Sequence, residues 1–233
     1  MLESLQQADQ QLLLFLNGMH SSFWDHFMWV FTAKMTWVPM YAAILYVILK
    51  NLRLSVSIFT VIAIVLTITY ADQVCATVIR PFAERLRPSN PENPISDLVH
   101  LVNGKRGGRY GFPSCHAANS FGLAFFVLLL FREKCLSLFI LGWAVINSYS
   151  RIYIGVHYPG DLIAGMLVGL SGALILYGIY RYCLSRPKIA AFLKYTSKDK
   201  ALVQHISPMK HTAVILYTGT ITVLFLLLYS ATA

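Results

Sequence analysis

Six runs of mostly apolar residues, at about 35–50, 54–79, 114–131, 136–154, 160–182 and 212–231, constrain this chain more than any other feature. Each approaches the roughly 20 residues that a helix needs to cross the hydrocarbon core of a bilayer. Apolar positions within the runs are continuous rather than alternating. A bilayer admits only helices or closed barrels, so helices are expected. Composition agrees: 57% of the 233 residues are hydrophobic and 12% are charged, about half the charged share of a soluble domain. The fold class that follows is all-α, a polytopic membrane helical bundle of about six transmembrane helices.

Residues 4–20 repeat apolar positions at helical spacing but are too polar to span, which predicts an N-terminal helix lying at the interface. Residues 1–11 hold Glu3 and Asp9 but no Lys or Arg, so the positive start of a cleavable signal peptide is not expected. No internal repeat is visible and the connections are short, so 1–233 reads as a single domain. Four scattered cysteines without a CxxC pair argue against a disulfide framework or a thiolate metal site.

Six crossings put both termini and the 80–113 and 151–159 connections on one side. The turns at 50–53 and 132–135 and the loop 183–211 fall on the other. With Arg181 at the end of the fifth run, that second side holds eleven lysines and arginines against Glu133 and Asp199, which accounts for the whole net charge of +9. The remaining charges balance. Basic excess marks the cytoplasmic face, so the 80–113 connection is expected to face outward, into a periplasm or the exterior. The charge thus follows membrane topology, and no nucleic-acid partner is expected.

Three clusters of ionisable residues sit at the outward mouth of the bundle, where charge is costly and usually functional. In the first, Arg80-Pro-Phe-Ala-Glu-Arg-Leu-Arg87-Pro88, a short helix opened by Pro81 and ended by Pro88 would set Arg80 and Arg87 on one face. Paired guanidiniums grip phosphate oxygens bidentately. In the second, Phe112-Pro113-Ser114-Cys115-His116, Ser114 suits a helix N-cap, whose free N–H groups favour an anion, and His116 suits a proton donor. In the third, Ser150-Arg151-Ile-Tyr-Ile-Gly-Val-His157-Tyr-Pro-Gly-Asp161, the carboxylate four residues on fixes the imidazole so that its other nitrogen is free to attack. Taken singly, each has an ordinary reading as a loop, a cap or a local hydrogen bond. Together on one face they supply anion binders, a nucleophile, its orienting group and an acid.

These residues resemble the type-2 phosphatidic acid phosphatase superfamily, which has three motifs: Lys-x6-Arg-Pro, Pro-Ser-Gly-His and Ser-Arg-x5-His-x3-Asp. Here they read Arg80-x6-Arg87-Pro88, Pro113-Ser114-Cys115-His116 and Ser150-Arg151-x5-His157-x3-Asp161, within a core of about 25–182. The helix at about 212–231 lies beyond that core. The resemblance implies that His157 attacks phosphorus to form a phosphohistidine, Asp161 orients it and His116 protonates the leaving group. It also implies that Arg80, Arg87, Arg151 and Ser114 hold the phosphate, with Cys115 lining the site. Two positions depart from the pattern. Arg80 stands for lysine, and Cys115 stands for glycine and could not readily adopt a positive φ.

Asp72, in the second apolar run, is expected to pair with an arginine, Arg80 or Arg85. Lys105, Arg106 and Arg109 read equally as contacts to further headgroup phosphates or as surface charge. The expected activity is hydrolysis of phosphate from a membrane lipid phosphate or diphosphate: undecaprenyl diphosphate, a lipid A phosphate or phosphatidylglycerol phosphate. Its partners are that lipid and the bilayer, its setting is a bacterial-type inner membrane, and no cofactor or metal is expected. Competing expectations are a phosphatase for a soluble phosphoester, a vanadate-dependent oxidase and a non-catalytic lipid-binding or transport protein. The first two differ in substrate. The third would need anion binders but no nucleophile.

Overall fold

A computed structural model describes residues 2–232, and among them the regular structure is helical. Helix α1 (Leu2–Asn17) is followed by α2 (Ser22–Phe31) and α3 (Lys34–Asn51), which are bent by 67° across Thr32 and Ala33. Then come α4 (Leu54–Ala83), α5 (Cys115–Phe131), α6 (Lys134–Tyr153) and α7 (Pro159–Ser185). Short helices α8 (Pro187–Phe192) and α9 (Ser197–Val203) precede α10 (Ala213–Thr232).

All six apolar runs are helical. Four of the helices, α4, α6, α7 and α10, are each long and apolar enough to cross a bilayer, and the bent α2–α3 pair makes five. Helix α5, at 17 residues, is shorter, about 25 Å at 1.5 Å per residue. It is also the most enclosed: Ala117, Ala118, Ala124, Phe126, Val127 and Leu130 are fully buried.

Small residues explain how α5 sits so deep. A Cβ placed on Gly165 of α7 would come within 2.4 Å of Ser114 O, and one on Gly169 within 2.4 Å of Ala118 O. Backbones therefore touch directly, the arrangement by which helices associate where no hydrophobic effect separates side chain from lipid. On its other side α7 meets α4, where a Cβ on Gly172 would lie 2.7 Å from the Tyr70 ring. Two motif-bearing elements, the start of α5 and the start of α7, are thus held at fixed spacing.

The bundle has two chemically distinct ends. At one, the turn after α3 meets the loop before α10: Asn51 Nδ2 donates to Lys210 O (2.9 Å), Lys210 N–H donates to Asn51 Oδ1 (2.7 Å), and Arg53 N–H donates to Asp199 Oδ1 (3.0 Å). The basic residues at 50–53 and 181–210 gather here. At the other end lie α1, the 84–114 connection and the loop between α6 and α7. Helix α1 packs on α6 and α7 through Leu13 and Asn17, both buried, while Leu5 and Phe15 point outward. Trp37 is buried, its indole N–H on Phe31 O at 2.7 Å.

Candidate active site

His157 lies in the tight loop joining α6 to α7. Gly155 takes φ +78° there, and a Cβ at that position would meet His100 O at 2.7 Å. Helix α7 begins with a capping box in which Asp161 Oδ2 accepts from Tyr158 N–H at 3.0 Å. The same oxygen accepts from His157 Nδ1 at 3.1 Å, so that nitrogen carries the proton and Nε2 keeps its lone pair. Arg87 Nη1 donates to Nε2 at 2.7 Å, which confirms the tautomer. His157 is almost wholly buried. Burial, helped by the nearby Arg87 charge, holds its pKa down to about 4, outweighing the hydrogen bond to Asp161 that raises it. The ring is neutral at pH 7.

Arg87 touches Nε2, Arg151 lies near enough for its charge to act on His157, and Arg80 near enough to act on Arg87. Arg87 Nη1 also reaches Val156 O (3.0 Å), Arg80 Nη2 reaches Pro113 O and Cys115 Sγ (both 3.0 Å), and Arg151 Nη1 reaches Thr32 Oγ1 (3.1 Å). The Nε atoms of Arg80, Arg87 and Arg151 are all buried without a hydrogen-bond partner. Burial, and then the charge of Arg80, lowers the pKa of Arg87. Like charges gathered in a buried site with unpartnered donors suit an anion that accepts from them.

His116 stands in the first turn of α5, where Ser114 is the N-cap and accepts from Ala117 N–H at 3.3 Å. Its Nε2 lies 3.1 Å from Asn147 Oδ1 and 3.3 Å from Thr32 Oγ1, the hydroxyl that also receives Arg151. Since Asn147 Nδ2 donates to Ser120 Oγ (2.7 Å), the amide turns its oxygen to the histidine. The second histidine and the third arginine therefore meet at Thr32.

The sequence profile of the PAP2 superfamily matches residues 56–185, more than half of the chain. This chain belongs to the PAP2 superfamily. A lipid A 4'-phosphatase of Bacteroides thetaiotaomicron is 54% identical over 99% of this chain and 98% of its own length. Another lipid A 4'-phosphatase, from Porphyromonas gingivalis, is 37% identical over 79% of this chain and 78% of its own. The crystal structure of Aquifex aeolicus LpxE superimposes with a TM-score of 0.53 at 22% identity, covering 72% of this chain and 94% of that one, a likeness of fold.

Both departures from the PAP2 motifs fit locally. Cys115 opens α5 with an ordinary negative φ, so the glycine of the pattern is not needed here for backbone freedom. Arg80 uses one nitrogen, Nη2, for both Pro113 O and Cys115 Sγ, which leaves its Nε without a partner.

Several expectations need correction. No helix runs from Pro81 to Pro88. Helix α4 instead continues through a π-helical stretch (Val74–Ile79) to Ala83 and stops at Glu84, whose φ is +43°. The chain then reverses, and Leu86 bridges antiparallel to Tyr110, with Arg87 N–H on Arg109 O (3.0 Å) and Gly111 N–H on Arg85 O (2.9 Å). Arg80 and Arg87 converge because the backbone turns back, not because they share a helix face. Asp72 accepts from Asn119 Nδ2 at 3.1 Å, and among the described residues no arginine is within ion-pair distance of it. Arg85 pairs elsewhere, with Asp9 (2.7 Å) and Asp161 (3.0 Å). Arg109 forms an exposed ion pair with Glu92 (2.8 Å) and Arg106 donates to Ser89 O (2.6 Å), so both are tied into their own loop. Tyr153 and His100 both contact Asp25, a structural cluster beside α1.

Sequence reading missed Thr32, Asn147 and Asp9, and gave Arg85 a different partner. Asn147 sits one helical turn before Arg151, a spacing that signals a shared face. Thr32 and Asp9 carry no such signal, since their contacts span 84 and 76 residues.

Proposed function

We propose that this PAP2 protein removes a phosphate from a membrane lipid, with the 4'-phosphate of lipid A as its leading substrate, through a phosphohistidine on His157. One observation carries the reaction: a neutral His157 with Nε2 unprotonated, set among three guanidiniums whose Nε donors have no partner. In this mechanism Arg80, Arg87 and Arg151 bind the phosphate oxygens, and Arg87 gives up Nε2 as the anion arrives. Ser114 adds its hydroxyl and Cys115 lines the wall. The Nε2 lone pair attacks phosphorus, the ester P–O bond breaks, and the leaving oxygen takes a proton from His116. Water then attacks the phosphohistidine, giving its proton back to His116 as the N–P bond breaks. Phosphoryl transfer of this kind rests on positioning and charge stabilisation, which a ring of arginines supplies without a metal.

Two features support a lipid over a soluble phosphoester. Relatives that align over 99% and 79% of this chain bear the name lipid A 4'-phosphatase. A cavity of about 440 Å³ begins at Thr32, His116 and Asn147 and deepens into an apolar wall of Ile44, Ile48 and Ile64, so a phosphate at the site has an oily path below it. The nucleophile and acid argue against a purely lipid-binding or transport role. The uncompensated basic charge at the opposite end supports an inner-membrane orientation with the site facing the periplasm or exterior.

Phosphate release should be followed from a panel in detergent: lipid A, polyprenyl diphosphate, phosphatidylglycerol phosphate and a sugar phosphate. Lipid A turnover exceeding the others tenfold or more is expected. Equal turnover of the sugar phosphate would overturn the lipid assignment, and preference for the polyprenyl diphosphate would move it to that substrate.

A further inference from the structure

Asp161 is fully buried, and its two oxygens face different partners. Oδ2 serves His157 and the Tyr158 N–H; Oδ1 accepts from Arg85 Nη1 at 3.0 Å. Arg85 does not stop there. Its Nη2 donates to Asp9 Oδ2 at 2.7 Å, and its guanidinium lies over the Tyr158 ring at 3.8 Å. Asp9 belongs to α1, outside the segment matched by the family profile, and its Oδ1 accepts from the Gly160 N–H at 2.8 Å. The fit leaves no slack: a Cβ on Gly160 would lie 2.8 Å from Asp9 Oδ2.

From this geometry we infer that Asp9 and Arg85 are positioning residues for the reaction, a relay from the N-terminal helix through Asp161 to the nucleophile. The inference rests on His157 being that nucleophile. Two carboxylates share one guanidinium, so the Asp9–Arg85–Asp161 group carries a net charge of −1. A lone Arg85 on Asp161 would cancel it. When Nε2 takes the phosphoryl group, His157 keeps its Nδ1 proton and the ring becomes cationic. A net negative group behind Nδ1 stabilises that ring; a neutral one would do so less. Asp9 thus keeps Arg85 from neutralising the carboxylate that the reaction needs charged, and it does so without touching substrate. The Tyr158 ring beneath Arg85 holds the fork in plane between its two acids.

The test compares steady-state kinetics of Asp9→Asn, Asp9→Glu and Arg85→Lys on one lipid phosphate, with thermal unfolding of each in the same detergent. Asp9→Asn keeps the shape and removes the charge. Its kcat should fall on the order of tenfold, the size expected for one charge several ångströms from a developing cation in a partly buried site, with KM within twofold of wild type. Asp9→Glu should recover most of kcat. Arg85→Lys, which cannot bridge both acids, should lose kcat like Asp9→Asn. A purely structural role for Asp9 would instead lower the unfolding temperature while the folded fraction kept its wild-type kcat. That result, or a loss confined to KM, would overturn the inference. Should Asp9→Asn fail to fold, Arg85→Lys decides: unchanged kcat there is equally fatal. His157→Ala, run alongside, separates the two levels. If it is inactive while Asp9→Asn is normal, the mechanism stands and the relay falls; if it is active, both fall.

Discussion

At the scale of single residues, the site is a set of buried charges and unpartnered donors suited to an anion. His157 is held neutral by burial, with a pKa of about 4 against an ordinary value near 6.5. The sign of the consequence follows. Between those values the unfolded chain binds a proton that the native His157 refuses, so stability contributed by this group is complete above about pH 6.5 and declines as the pH falls toward about 4. Thermal unfolding in detergent over that window should show the decline, and His157→Asn should make it shallower. Arg87 bonds to Nε2 in the resting site, and in the proposed mechanism its unpartnered Nε serves the phosphate. Replacing it with lysine keeps a charge but loses the fork, and kcat/KM should drop by roughly 10- to 100-fold, the worth of one or two charge-assisted hydrogen bonds. A change under threefold would mean that the fork is not used.

Helices explain what was legible and what was not. The six apolar runs are readable because continuous hydrophobicity survives any tertiary arrangement. Ser114 as N-cap and Asp161 four residues after His157 are readable because both contacts are local. The course of α4 past Pro81 is not: the π-helical stretch at Val74–Ile79 absorbs the proline, and Glu84 adopts a left-handed conformation that its sequence does not announce. Nor is the bend at Thr32, which converts an ordinary threonine into the meeting point of His116 and Arg151. Partners of Asp72 and Arg85 were misassigned because charge predicts that a buried group is satisfied, not by which residue. The α5–α7 contact makes its own prediction. Gly169→Ala would drive a methyl against the Ala118 carbonyl and the Gly122 N–H, so stability should fall by about 1–3 kcal/mol, and activity with it, as Ser114 and His116 shift from His157. Gly142→Ala, where a Cβ meets nothing within 4 Å, is the control and should be silent.

Seen whole, the molecule is a bundle with the proposed phosphate site at one end and uncompensated basic charge at the other. Cys135 lies exposed at the basic end. In a single-cysteine variant, an impermeant thiol reagent should label it only after the membrane is opened; labelling in intact cells would reverse the proposed orientation. The central claim concerns His157, and trapping tests it most directly. Purified protein is mixed with lipid A carrying a radiolabelled 4'-phosphate, quenched in alkali within the first turnover, and analysed for label on the chain. The account predicts an alkali-stable, acid-labile phosphoprotein in the wild type, with both the label and phosphate release absent in His157→Ala. Undiminished phosphate release by His157→Ala would contradict it.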